Sequence, residues 1–330
     1  MLNGARTALG GAAEWARTST QAVRQDGVDG VRESGRSFYT GLWRLYGLVT
    51  DYGTPIYERE WDLLIVLDAC RADLLADVAD DYAFLDQEST ASVASCSPEW
   101  MDKNFVAEYA AEMERTAYVT GNPYSRDHVD PAQFGLVDDV WQYGWDDDRE
   151  TLPPDVLTDR AIRVGREHSP DRMILHYMQP HHPFVPNPLG AGADTELDGV
   201  AFGEKDTVWN RLRRGELDRD TVWSAYRANL EYVLDSAAVL LDNVDANRVV
   251  VTADHGNALG EHRMYGHPMY APTDALREVP WCVTTATDTG AYHPELDAPD
   301  EAVGGIETTE QETNGDESDV ERKLEHLGYL

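Results

Sequence analysis

Lysine is almost missing from this chain. Only Lys103, Lys205 and Lys323 occur in 330 residues, against 61 aspartates and glutamates, and the formal net charge is −34. Such a charge repels phosphate backbones and argues against a general DNA or RNA binder, so no nucleic acid is expected as a partner. It is the composition of a protein solvated in concentrated salt, where self-repulsion is screened, and it says little about substrate. Cysteine is scarce as well. Cys70, Cys96 and Cys282 make neither a disulfide framework nor a CxxC zinc pattern. No apolar run reaches the length of a spanning helix. The N-terminus has no long apolar core of the kind a secretion signal carries. Together these absences set the expectation of a cytoplasmic protein, with peripheral contact at the inner membrane face as its variant. Internal repeats are also missing. What is present is a 42% hydrophobic content over a length that suits one large α/β domain or two smaller ones.

The pattern centres on residues 248–267, RVVVTADHGNALGEHRMYGH. Val249, Val250 and Val251 predict a strand buried on both faces. It ends in Asp254-His255-Gly256, a carboxylate and an imidazole side by side, with Glu261, His262 and His267 close behind as further potential ligands. Gly256 lets the backbone turn away without a Cβ clash. Alone, an Asp-His pair is equally a polar turn; the question is whether other segments match it.

Residues 61–69, WDLLIVLDA, predict a second buried strand, with Asp68 at its carboxyl end and a helix from about residue 71 to 80. Ligands of open α/β sheets bind beyond the carboxyl ends of the strands, so Asp68 and Asp254 at two such exits suggest a shared cation. In SVASCSPEWMDKNF, Ser97 reads as a helix N-cap and Pro98 as a first-turn residue. Cys96 then precedes a helix N-terminus, where N–H groups and dipole lower a thiol or hydroxyl pKa and attract anions. Residues 116–120 read as a short strand, and 172–177, RMILHY, as another. The latter exits into QPHHPF, whose prolines hold His181 and His182 on a stiff loop. Residues 138–150 read as an aromatic insertion near a site or an interface, 153–168 and 221–244 as amphipathic helices, and 278–286 as a last strand. Residues 199–220 read as a mobile excursion. Two flanking segments complete the domain scheme: a helical stretch over 1–55 and an acidic, partly disordered tail over 291–330 ending in a short helix, around a catalytic domain over 56–290. The aromatic stripe of residues 38–49 either packs on its own domain or touches a membrane surface.

Four of these segments, in order over roughly residues 60–285, resemble motifs of the alkaline phosphatase superfamily and its sulfatase-like branch. VLDACRAD is similar to the first metal motif, with Asp68, Arg71 and Asp73 in place and Ala69 where a second Asp stands. CSPEW is similar to the nucleophile motif Cys-x-Pro-Ser-Arg at Cys96 and Pro98, while Glu99 and Trp100 depart from it. QPHHPF resembles the substrate loop and puts His181 in its position. TADHGNALGEH resembles the Asp-His-Gly…Gly-Glu-His motif, and His267 falls where such proteins carry a substrate-binding Lys or a metal-binding His. The resemblance implies an α/β, alkaline-phosphatase-like three-layer sandwich with a mostly parallel sheet and helices on both faces. It implies a divalent metal ion (Mn, Mg, Ca or Zn; one or two) on Asp68, Asp254 and His255, with His267 as a further ligand. Cys96 would be the nucleophile, with the hydroxyls of Ser95 and Ser97 as alternatives. His181 and Arg71 would assist, His181 through ester oxygens or a leaving-group proton and Arg71 through the anion or a ligand carboxylate. The expected activity is metal-dependent hydrolysis or transfer of a phosphate or sulfate ester on a small molecule, glycan or lipid head group. A catalytically silent fold that binds a glycan, anion or partner protein is the alternative.

Overall fold

The structure, a computed structural model, describes residues 35, 39, 41, 43, 45–50, 52–189, 207–296, 303–304 and 317–326. Its frame is an eight-stranded sheet in the order β10-β4-β3-β5-β1-β6-β9-β2. The strands are β1 (Leu63–Leu67), β2 (Ser89–Ala91), β3 (Thr116–Thr120), β4 (Leu136–Asp139), β5 (Arg172–Tyr177), β6 (Ala246–Thr252), β9 (Glu278–Ala286) and β10 (Val303–Gly304). A separate pair, β7 (Ala258–Leu259) with β8 (Tyr265–Gly266), stands outside it. The five strands from β4 to β6 run parallel, with Leu63 opposite Met173 on one side and Val249 on the other. β9, β2 and β10 pair antiparallel at the two edges.

The sequence of β1 explains the layering. All five residues of LLIVL are buried, and successive side chains of a strand point to opposite faces. Leu63, Ile65 and Leu67 join a core with the helices Pro154–His168 and Arg219–Leu241. Leu64 and Val66 join a second core with Trp61, Trp100, Tyr118 and Phe134. A continuous apolar run thus marks a strand covered on both faces, and the expected three-layer α/β sandwich is what forms. Truncating Ile65 to Ala would leave a cavity costing on the order of 2–5 kcal/mol.

Several expectations need correction. The helix expected over residues 71–80 breaks into Ala72–Ala76 and a 3-10 turn at Ala79–Asp81. The N-cap of the helix Ser97–Asn104 is Cys96, extended at φ −159° and ψ 160°, and Ser97 is its first helical residue. Part of the expected excursion is a helix, Val208–Arg214: the Thr207 side chain accepts from Asn210 N at 3.2 Å, and Gly215 ends the helix at φ 77°. Residues 199–206 lie outside the described residues. In the acidic tail, Val303–Gly304 adds an edge to β4. The expected terminal helix is Glu317–His326, whose Val320 and Leu324 pack on Trp141. The aromatic stretch at 138–150 is therefore a dock for that helix, with Lys323 Nζ donating to the Trp141 carbonyl at 3.3 Å.

The stripe at residues 38–49 divides. Trp43 packs against His262 with ring centroids 5.3 Å apart and planes tilted by 51°, and a Cβ on Gly47 would collide with the Tyr270 carbonyl. Tyr39, Leu45, Tyr46, Leu48 and Val49 are exposed. Of the stretch over 1–55, residues 1–34 lie outside the described residues.

Candidate metal centre and active site

The strand exits meet at one edge of the parallel block. Asp68 follows β1, Asn122 follows β3, His181 follows β5 and Asp254 follows β6. Ligand atoms of Asp68, Asp254 and His255 all lie within 4.8 Å of one another, and all three residues are buried. Asp254 Oδ1 accepts from Ala69 N at 3.0 Å and from His255 N at 2.8 Å. Ala69 reaches this position with φ 61°, a left-handed conformation unusual for a residue with a Cβ. The Asp254 Oδ2 atom is buried and has no hydrogen-bond partner. A bare carboxylate oxygen in the interior is costly, and two carboxylates converging with an imidazole make an oxygen–nitrogen set that suits a divalent cation. The residues present therefore fit the ion that the motifs imply.

Burial alone would raise the Asp254 carboxyl, but the neighbouring His255 and His176 imidazoles and the Ala69 N–H hold it below the ordinary carboxylate range. His255 Nδ1 donates to the Gly256 carbonyl at 2.8 Å, which turns Nε2 toward Asp68 at 3.7 Å and Asp254 at 3.4 Å. Gly256 avoids a Cβ clash, as expected. It is required by close approach, since a Cβ there would meet the Ala275 carbonyl at 2.4 Å.

The Ser97 hydroxyl sits 3.3 Å from Asp68 Oδ2 and 3.4 Å from His255 Nε2. Ser95 is placed differently. Its hydroxyl accepts from Ala271 N at 3.0 Å and faces Glu99 Oε2 and the Pro268 carbonyl, each at 2.9 Å. It is thus held by the frame, whereas Ser97 faces the ligand group. Cys96, beside Ser97, is buried at the N-cap.

His181 and His267 meet through their Nε2 atoms at 2.9 Å. The His267 ring lies 4.8 Å from that of His255, so His267 adjoins the three-ligand group without belonging to it. Burial lowers the pKa of both His181 and His267, and neighbouring imidazoles lower it further. His182 is lowered to about 4 by burial.

Arg71 is not in the centre. Its guanidinium donates to both Asp73 carboxylate oxygens at 2.8 and 2.6 Å, to the Asn257 carbonyl at 2.8 Å and to Glu261 at 3.0 Å. It ties the β1 exit to the loop after Asp254; of the two roles expected, binding the anion or bracing a ligand carboxylate, its contacts are those of a brace, made to Asp73 and Glu261 and not to Asp68 or Asp254. Glu261 is spent on Arg71, Arg219 and the Leu259 N–H.

Two site residues were missed by sequence reasoning. Asn122 Nδ2 donates to Asp68 Oδ2 at 2.8 Å; its place just after the strand at 116–120 was the signal available. His176, a polar residue inside the apolar run of β5, faces Asp254 Oδ2 at 3.5 Å, long for a hydrogen bond, and bonds Tyr118 OH at 2.9 Å through Nδ1.

No protein-family model matches this chain, and no curated protein matches it. Solved structures do. One is the integral membrane lipooligosaccharide phosphoethanolamine transferase A from Neisseria meningitidis, 15% identical with a TM-score of 0.44 over 87% of this chain and 60% of that one. The C-terminal periplasmic domain of EptC from Escherichia coli, in complex with Zn, is 14% identical with a TM-score of 0.41 over 76% of this chain and 80% of that one. A putative sulfatase from Bacteroides thetaiotaomicron is 14% identical with a TM-score of 0.38 over 67% and 63%. Sulfatases are thus among the structures this chain is similar to, and the chain spans 60% of the length of the Neisseria protein.

Proposed function

We propose that this chain is a metal-dependent hydrolase or transferase acting on a phosphate or sulfate ester. The observation that carries the reading is the Ser97 hydroxyl facing Asp68 at 3.3 Å and His255 at 3.4 Å, at the first turn of a helix. Asp68, Asp254 and His255 would hold a divalent cation (Mg, Mn, Ca or Zn), and His181 with His267 would build a second site if two ions bind. When bound, the cation lowers the pKa of the attacking group and neutralises charge on the ester oxygens. Ser97, or Cys96 beside it, gives up its proton and attacks the phosphorus or sulfur, the bond to the departing alcohol breaks as that alcohol takes a proton, and water or an acceptor alcohol then takes the group from the side chain. Helix N–H groups favour the anion at that position. Asn122 holds Asp68 in place. Without a second ion, the His181–His267 pair binds ester oxygens or carries the leaving-group proton.

Elemental analysis of the purified protein in high salt, beside its Asp254→Ala variant, tests this. One or two equivalents of a divalent metal, lost in the variant, support the reading. No bound metal, even after Mn or Zn is added, would leave the silent binding fold.

One observation favours a lipid head group as carrier of the ester. Five of the six exposed large hydrophobic side chains among the described residues fall within residues 39–49. This segment packs on His262 and Tyr270, either side of His267. Among the described residues no helix is long and apolar enough to cross a membrane, so the contact would be peripheral. Pelleting with liposomes in high salt, abolished by Leu45→Ser/Tyr46→Ser, is the expected result; equal pelleting of both forms would remove the lipid surface.

A further inference from the structure

Glu99 is one of the two residues at which the 96–100 stretch departs from the sulfatase motif. It is buried, 1% exposed, in the first turn of the helix Ser97–Asn104. A buried carboxylate must be fully paired or it is strongly destabilising. This one is. Its Oε2 accepts from Ser95 N at 3.0 Å, Ser95 Oγ at 2.9 Å and Tyr270 N at 3.1 Å. Its Oε1 accepts from Tyr52 OH at 2.5 Å and Lys103 Nζ at 2.7 Å, with Arg277 Nη2 at 3.5 Å. An acid at the third helical position that bonds back to an N–H at the helix start resembles a capping box. Here it reaches one residue further, past the N-cap Cys96. Ser95 in turn takes a hydrogen bond from Ala271 N at 3.0 Å. One carboxylate therefore joins three pieces: the turn carrying Cys96 and Ser97, residues 268–271 directly after His267, and Tyr52 at the end of the N-terminal segment.

Stability alone is a weak reason for this arrangement, since a packed apolar group often replaces a buried charge cluster at no loss. What it does achieve is register between two loops that carry site residues. We propose that Glu99 is a positioning residue, whose carboxylate locks the Cys96–Ser97 turn against the loop of His267 so that both address the same ester. The proposal rests on the ester-transfer reading above.

The test compares the wild type with Glu99→Gln and Tyr52→Phe, full-length and in high salt with Mn. Two readouts are taken: turnover of p-nitrophenyl phosphate, and the rate at which iodoacetamide labels Cys96 in the folded protein, followed by mass spectrometry. The Gln variant keeps the shape but loses the charge. It is expected to lower kcat by roughly 100-fold, as misplacement of a reacting group does, with KM little changed. It is also expected to label Cys96 several-fold faster. Tyr52→Phe, which removes one bond to Glu99 and the one that the hydroxyl accepts from Lys103, should move both readouts the same way by less. Wild-type labelling rates in the folded variants, or a raised KM at unchanged kcat, would overturn the proposal. If Glu99→Gln does not fold, Tyr52→Phe decides by the same criteria. Should the wild type turn over no phosphate or sulfate ester, the ester reading fails, and the labelling rates still report whether Glu99 holds the turn.

Discussion

The two ends of the parallel strands use the same residue types in opposite ways. At the amino ends, a cleft of about 380 Å³ is lined by Asp62, Arg166, Asp171, Asp245 and Asp288 among others. Three of its acids have ordinary structural partners. Asp62 accepts from Arg248 N at 2.9 Å, Asp245 from Asp288 N at 2.9 Å, and Asp288 forms a two-pronged pair with Arg166 at 2.8 Å for each contact. At the carboxyl ends, Asp68 and Asp254 are buried beside imidazoles, and Asp254 keeps one oxygen without a hydrogen bond. Acidity by itself marks neither end as a site. What separates them is whether the protein supplies its own donors to the carboxylates. Where it supplies fewer than burial demands, a cation would complete the set, as proposed above.

Breaking the carboxyl end should have the largest effect. Asp254→Ala is expected to reduce divalent-metal affinity by more than roughly 100-fold, read by elemental analysis and calorimetric titration, while Asp288→Ala leaves metal content unchanged. Metal retained by Asp254→Ala would erase the contrast between the two ends. Next comes the attacking group. Ser97→Ala should lower turnover of a chromogenic ester by roughly 10⁴-fold or more, since loss of a nucleophile can cost on the order of 10⁶, and Cys96→Ala should lower it far less. The opposite ranking would give Cys96 the role.

The third effect is on stability, at acid pH and without metal. The His182 pKa is lowered from 6.5 to about 4 in the folded protein, so between those values the unfolded chain binds the proton and the folded chain does not. Stability is then complete above pH 6.5 and falls as pH drops toward 4. For this one imidazole the loss is on the order of 3 kcal/mol, and His181 and His267 add in the same direction. Chelated protein melted across this range should show the loss, reduced in His182→Asn; flat melting temperatures would mean the rings are charged in the fold. The smallest effect belongs to the amino end. Arg166→Met removes a half-buried pair with Asp288 and the bond to the Tyr292 carbonyl, and should cost roughly 1–2 kcal/mol, with turnover unaffected.

Much of the frame is legible in the sequence, and for a physical reason. Fully buried parallel strands must be apolar throughout, so LLIVL and RVVVT announce themselves, and β5 and β9 fall on the residues their patterns mark. β2 and β4 were not legible. β2 is three residues long and β4 ends in two acids, so neither carries a clear period. At the site, polar residues directly after strands pointed to Asp68, Asp254 and His255, because a strand exit is where a sheet leaves polar groups beside a crevice. Arg71 fits its motif equally well, yet its guanidinium turns to Asp73, Glu261 and the Asn257 carbonyl. Local pattern does not specify the direction of a long, flexible side chain.

The sequence by itself determined the layered α/β frame, the strand exits at which polar residues gather, and the carboxylate and imidazole chemistry of Asp68, Asp254 and His255. These follow from periodicity and from residue chemistry next to strand ends. Only the tertiary structure decided that Ser97 rather than Ser95 faces the ligand group, that His176 and Asn122 flank it, and that Glu99 joins two loops from beneath. Those are contacts between residues 29 to 171 positions apart in the chain. They arise when strands distant in sequence are brought into register, which no local run of residues encodes.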